Sequence, residues 1–265
     1  MGAGLRLGTV PFLNAEPLTR ELASLNGSIS LTLGTPAELA RALEAGALDG
    51  ALVSSYAYFT GRGYRLVPGV GIVSRGRVES IRLYLKKPLP EVRSVALDAG
   101  SLSAAHLARL LLEGRWGLRP RCRPLEPGAS GREVPEDAFL LIGDPALCER
   151  GEGLEAIDLG SEWGAWTGLP FVYALWVFRE GGEGVVEAAR SLLEAKRLGV
   201  AQLPEIAREG ALRLGVGEAL CRDYLLNCIH YDVGEEEVKG LLRYYDLLVE
   251  AGLAPPGRGL RFIEL

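Results

Sequence analysis

The chain has 265 residues, 48% hydrophobic and 24% charged, with 29 Lys and Arg against 34 Asp and Glu for a net charge of -5. Such a composition excludes disordered and fibrous chains, and without a Lys/Arg-rich run nucleic acid is not an expected partner. The longest apolar run, Phe171 to Phe178, is far short of the roughly 20 residues that cross a bilayer, so no membrane span is expected.

In chain order, Leu5 to Val10 reads as a first strand. Thr35-Pro36-Ala37-Glu38 combines an N-cap, a proline at the first helical position and a glutamate three residues after the cap, which predicts a helix ending at Gly46. Ala51-Leu52-Val53 reads as a buried strand delivering Ser54 and Ser55 at its carboxyl end. Ile81 to Leu85 and Ser94 to Asp98 read as further strands, and Ser101 as the cap of a helix reaching about Glu113. Gly114 to Pro135 reads as loop, Ala138 to Ile142 and Ala156 to Leu159 as strands, and Gly184 to Ala251 as helical. Strands alternating with helices predict an α/β fold with doubly wound sheets. A middle block between an α/β first third and a helical last third predicts an inserted domain. The expected division is 1–84 plus 175–265 for one discontinuous domain and 85–174 for the other. The expected crossings are Ile81 to Lys87 and Phe171 to Val177, with a ligand cleft between the domains.

Cys122, Cys148, Cys221 and Cys228 form no CxxC pair, and a helical separation of seven puts Cys221 and Cys228 roughly 10 Å apart. Reduced thiols in a cytoplasmic protein are expected, in keeping with an opening segment that lacks the apolar core of an export signal. His106 shares a polar helical stripe with Arg109 and Glu113 and reads as a surface residue, and His230 reads as structural. Neither GxGxxG, GxxxxGK[ST], GxSxG nor HExxH occurs, so neither a cofactor nor a metal is expected.

Small polar residues remain at strand ends and helix starts: Asn14, Ser54, Ser55, Ser80, Ser101, Ser103, Gly143, Asp144 and Thr167. In a doubly wound fold these ends line the ligand crevice. Hydroxyls, amides and free N–H groups at helix starts suit a small anion. Each residue taken singly is equally an ordinary cap or turn. Trp163, Trp166 and Phe171 either wall a ring-binding pocket or pack in the core.

Five segments in order carry a resemblance: Val10-Pro11-Phe12-Leu13-Asn14-Ala15-Glu16-Pro17-Leu18, Gly46 to Ser55, Ile72 to Ser80, Leu140-Leu141-Ile142-Gly143-Asp144, and Glu162 to Val172. Together they resemble the chorismate dehydratases of the futalosine route to menaquinone. The resemblance implies a type 2 periplasmic-binding-protein-like fold and dehydration of chorismate, a small dianion, to 3-[(1-carboxyvinyl)oxy]benzoate without a cofactor. A sister enzyme of that route, which makes dihydroxynaphthoate, and a non-catalytic anion-binding module are the alternatives. Asn14, Ser80 and Asp144 are the expected catalytic residues, with Asp144 either base or turn cap. Ser54, Ser55, Ser101, Ser103, Gly143, Trp166 and Thr167 are the expected substrate contacts. This chain departs from the family at Phe12, where a tyrosine is usual, and at Ser103-Ala104, where Thr-Ser is usual.

Overall fold

The structure, a computed structural model, describes residues 4–126, 128–149 and 151–265. The first lobe opens with β1 (Arg6–Thr9), a 3₁₀ turn (Leu13–Ala15), α1 (Glu16–Thr19) and α2 (Leu22–Leu25). It continues through β2 (Ser30–Leu33), α3 (Pro36–Glu44), β3 (Gly50–Ser54), α4 (Ser55–Thr60) and β4 (Tyr64–Ser74). The second lobe holds β5 (Ile81–Leu85), β6 (Ser94–Asp98), α5 (Leu102–Leu110), a π turn (Leu111–Arg115) and β7 (Arg121–Leu125), then β8 (Ala138–Ile142), α6 (Gly143–Cys148), β9 (Glu155–Asp158) and α7 (Leu159–Thr167). The chain then returns through β10 (Phe171–Arg179) to α8 (Val185–Ala201), α9 (Leu203–Leu214), α10 (Glu218–Asp223), a second π turn (Tyr224–Cys228) and α11 (Glu235–Glu250).

Each lobe is built on a five-stranded mixed sheet, ordered β2-β1-β3-β10-β4 in the first and β7-β6-β8-β5-β9 in the second. In the first sheet β1 lies parallel to β2 and β3, while β10 runs antiparallel between β3 and β4. In the second, β6 lies parallel to β7 and β8, and β5 runs antiparallel between β8 and β9. The two crossings fall earlier than expected. β5 belongs entirely to the second sheet and β10 entirely to the first, so the chain passes between lobes at residues 75–80 and returns at 168–170.

Local chemistry accounts for several helix starts. At α3, Thr35 Oγ1 accepts from Glu38 N–H at 3.3 Å while Thr35 N–H donates to the Glu38 carboxylate at 2.8 Å, a closed capping box. Gly46 takes φ +75° just past the helix, which a Cβ would resist. Ser54, Ser101 and Asp158 cap α4, α5 and α7 by accepting from Ala57, Ala104 and Ser161 N–H groups. The stretch expected to be loop between Gly114 and Pro135 contains β7, an edge strand whose first four residues are exposed and whose Pro124 is tolerated at an edge.

The aromatic segment resolves in favour of packing. Trp163 is fully buried, meets Phe171 and Tyr244 edge-on, and donates its indole N–H to Pro170 C=O at 3.1 Å. His106 is half-buried rather than on the surface: its ring stacks on Tyr56 at 3.8 Å, Nδ1 faces Leu102 C=O, and desolvation pushes its pKa down. His230 pairs through its backbone with Val73 and extends the first sheet.

Candidate active site

A cavity of about 540 Å3, counting its mouth, opens between the lobes. Val10, Asn14, Leu52, Ser54, Ile72, Tyr173 and Ala174 line it from the first lobe, and Ile81, Ser101, Ile142 and Gly143 from the second. Val78 and Ser80 enter from the crossing, Ile229 from the helical last third, and among the described residues no lining side chain is charged. Five of the ten expected site residues therefore converge here: Asn14, Ser54, Ser80, Ser101 and Gly143.

Asn14 follows β1 but caps nothing. It lies inside the 3₁₀ turn, α1 begins at Glu16 after Ala15, and no side-chain cap bond forms at either start. Its side chain is 9% exposed and Oδ1 is buried without a partner. A buried polar atom left unpaired costs on the order of 1–3 kcal/mol, so a group in this state suits a ligand contact. Ser54 and Ser101 accept cap bonds at 3.2 and 3.3 Å, which leaves each hydroxyl proton free to donate. The starts of α3, α4, α5 and α6 are all represented in the cavity wall, by Pro36, Ser54, Ser101 and Gly143, so several positive helix ends face one uncharged space.

Ser80 is the most constrained of the five. Its N–H donates to Val78 C=O at 2.6 Å, and its carbonyl accepts Gly143 N–H at 2.8 Å, which carries the β5–β8 pairing one residue beyond the strands. Glu79, just before it, is the one non-glycine residue with positive φ among the described residues, at +61°. That conformation costs roughly 1–3 kcal/mol and persists where surrounding bonds impose it. Here the Asp158 carboxylate accepts from Val78 N–H at 3.0 Å, Glu79 N–H at 2.7 Å and Ser161 N–H at 2.8 Å, while Arg77 and Arg82 hold the Glu79 carboxylate. Burial pushes the Asp158 pKa up, and the amide bonds oppose that rise.

Gly143 could not be another residue without displacement. It adopts φ +63°, and a Cβ there would meet the Phe12 ring at 3.0 Å. Phe12, where a tyrosine was expected on the family pattern, thus closes the wall against the first turn of α6.

The other expected contacts lie elsewhere. Asp144 turns away from the cavity: its Oδ1 accepts Leu13 N–H at 2.9 Å and ties the start of α6 to the 3₁₀ turn, with its pKa raised by burial. Ser55 donates to Val172 C=O, and its Oγ lies 3.2 Å from Ser103 Oγ, which in turn accepts Tyr56 N–H. These two hydroxyls join the lobes behind the cavity instead of lining it. Trp166 packs beside Gly114 and edge-on to Trp163, and Thr167 bonds its own helix at Trp163 C=O, so neither reaches the cavity. Trp166 packs as it does because its apolar bulk is taken up at the contact of α7 with the π turn after α5.

Tyrosines supply what sequence reading missed. Tyr173 lines the cavity and its hydroxyl sits 2.9 Å from Ser74 Oγ. Tyr224, fully buried, donates to Ser80 Oγ at 2.9 Å. Tyr173 lies within the continuous apolar run Phe171 to Phe178, which has no alternation to single it out, and nothing local marks Tyr224. Among the described residues, no group of three or more His, Cys, Asp or Glu side chains is placed to hold a metal, and no helix is long and apolar enough to cross a membrane.

A family model described as menaquinone biosynthesis matches residues 5–250. The chain belongs to this family. Within reach of it stands a protein of Thermus thermophilus named chorismate dehydratase, 34% identical over 260 residues that cover 91% of this chain and 94% of that one. Among solved structures, the alkanesulfonate-binding protein of Xanthomonas axonopodis superposes with a TM-score of 0.72 at 16% identity, over 96% of this chain and 95% of its own. A Candida albicans protein described as having the generic periplasmic binding protein fold superposes at 0.65 and 11% identity, over 96% and 92%. The family member described here therefore has the two-lobed α/β fold of the periplasmic binding proteins, with its cavity where the lobes meet.

Proposed function

We propose that this chain is a chorismate dehydratase, a hydro-lyase of menaquinone biosynthesis that converts chorismate to 3-[(1-carboxyvinyl)oxy]benzoate. One observation carries the reading to particular residues: in a chain of this family, Asn14, Ser54, Ser80, Ser101 and Gly143 converge on one uncharged interlobe cavity. The substrate is a dianion with a single ring, and the cavity offers it hydroxyls, an amide and helix starts rather than fixed cations.

The reaction removes the C3 proton and the C4 hydroxyl. The C3–H electron pair becomes the new ring double bond as the C4–O bond breaks, and the departing hydroxyl takes up a proton to leave as water. No redox change occurs, and the aromatic product supplies the driving force. With no carboxylate, imidazole or amine among the described residues of the cavity wall, the substrate's own enolpyruvyl carboxylate accepts the C3 proton in this reading. Asn14 and Ser80 hold the ring substituents and support the departing hydroxyl, and Ser54 and Ser101 donate to the carboxylates. Orientation of this kind, with dipoles fixed in advance, lowers a barrier without a protein base. Asp144, occupied by Leu13 N–H, is left outside the proton transfer and joins the lobes.

The discontinuous first domain and inserted second domain belong to this reading, with their limits at the crossings 75–80 and 168–170. A cytoplasmic location goes with it, in agreement with four free cysteines. The test is incubation of the purified protein with chorismate and identification of the product by proton NMR. Loss of one water with appearance of four aromatic ring protons is expected. Saturable binding without any new species would assign the chain to the anion-binding modules instead.

A further inference from the structure

Ser80 Oγ has room for one donor bond and two acceptor bonds. Its nearest hydroxyl partner is Tyr224, whose O–H donates to it at 2.9 Å, with both residues buried to 1% exposure or less. A phenol is the stronger acid of the two, so the proton between them comes from the tyrosine. The Ser80 proton is then free for the cavity, which Ser80 lines and Tyr224 does not. The backbone of Ser80 is already set by Val78 C=O and Gly143 N–H. Tyr224 removes the remaining freedom, rotation of the hydroxyl. Tyr224 opens the π turn Tyr224–Cys228, a wide turn of the kind that recurs at functional sites.

A fully buried tyrosine can simply fill the core, and the same core contains the comparison. The Tyr231 hydroxyl is buried without a partner, so a phenol there contributes packing alone. We propose that Tyr224 is a positioning residue that acts through Ser80, holding its hydroxyl with the proton directed at the substrate. The proposal rests on the assignment of Ser80 to the reaction.

The experiment measures kcat, KM and melting temperature for Tyr224→Phe, Ser80→Ala, the double variant and Tyr231→Phe, with chorismate as substrate. Tyr224→Phe is expected to lower kcat about tenfold at unchanged KM, the scale of one neutral hydrogen bond. In the Ser80→Ala background it should cost nothing further, because the bond it removes is already gone. Tyr231→Phe should keep native kcat, and both phenylalanine variants should melt within about 3 °C of each other. A tenfold loss repeated in the Ser80→Ala background, or native kcat in Tyr224→Phe, would overturn the proposal while leaving Ser80 in place. Native turnover by Ser80→Ala would overturn the assignment of Ser80 itself, and the proposal with it.

Discussion

Replacing Asn14 by alanine separates chemistry from stability. An asparagine that caps a helix stabilises it by about 0.5–2 kcal/mol, but Asn14 lies within the 3₁₀ turn and forms no cap bond. Its Oδ1 is buried and unpartnered, so truncation removes an unsatisfied acceptor along with a small side chain. The two effects offset, leaving a stability change within about 1 kcal/mol. For a chain of this length that is about 2–4 °C in melting temperature. Turnover should behave differently. A contact of about 3 kcal/mol made in the transition state corresponds to a rate factor of roughly a hundred. Asn14→Asp should fall at least as far, because it puts a carboxylate into an uncharged cavity facing a dianion. Loss of the chorismate diene absorbance gives the rate, and a thermal melt gives the stability. Asn14→Ala with near-native turnover, or with a melting temperature lowered by more than about 6 °C, would refute the reasoning.

Asp144→Asn keeps an oxygen for Leu13 N–H, so turnover within about threefold of native and an unchanged melt are expected; near-complete loss with intact substrate binding would make Asp144 the base. Asp158→Asn leaves the Val78 and Glu79 amides with poorer acceptors, and a loss of about 2 kcal/mol should appear as roughly 4–8 °C in a melt together with reduced turnover. Acid stability should depend on Asp137, whose pKa is held at about 2 by Lys87, the Arg93 N–H and Ser94. Because the folded value lies below the unfolded value of 3.8, its contribution is present above about pH 4 and is lost as pH falls toward 2. Asp137→Asn should therefore flatten the urea midpoint against pH across that window, and an unchanged slope would contradict the assignment.

What was legible in the sequence was local. Thr35 and Glu38 declare a helix start within four residues, and Ser54 and Ser101 sit where a buried strand or a turn hands over to a helix. Asn14 was legible as a candidate by its place after β1, though cap and crevice could be told apart only in three dimensions. β2 stayed hidden because its alternation, Ser30-Leu31-Thr32-Leu33, is only four residues long and all four stay exposed, and β4 because Pro68, Gly69 and a bulged register against β10 interrupt its pattern. Trp166 and Thr167 drew attention as an aromatic beside a turn, but an aromatic side chain reports apolar surface to be covered, whatever covers it. Tyr224 lies 144 residues from Ser80 in sequence, and its value rests on a single long-range bond. No spacing rule reaches that far.

The central claim is that this cavity supplies orientation while the substrate supplies the base. A chorismate analogue with its enolpyruvyl carboxylate converted to a carboxamide tests it most directly, since the ring, the C4 hydroxyl and the shape are retained. Competition against chorismate should show that the analogue occupies the site, and product analysis should show its dehydration slowed by at least about a thousandfold. Dehydration of the bound carboxamide at a rate near that of chorismate would contradict the claim and require a base from the protein.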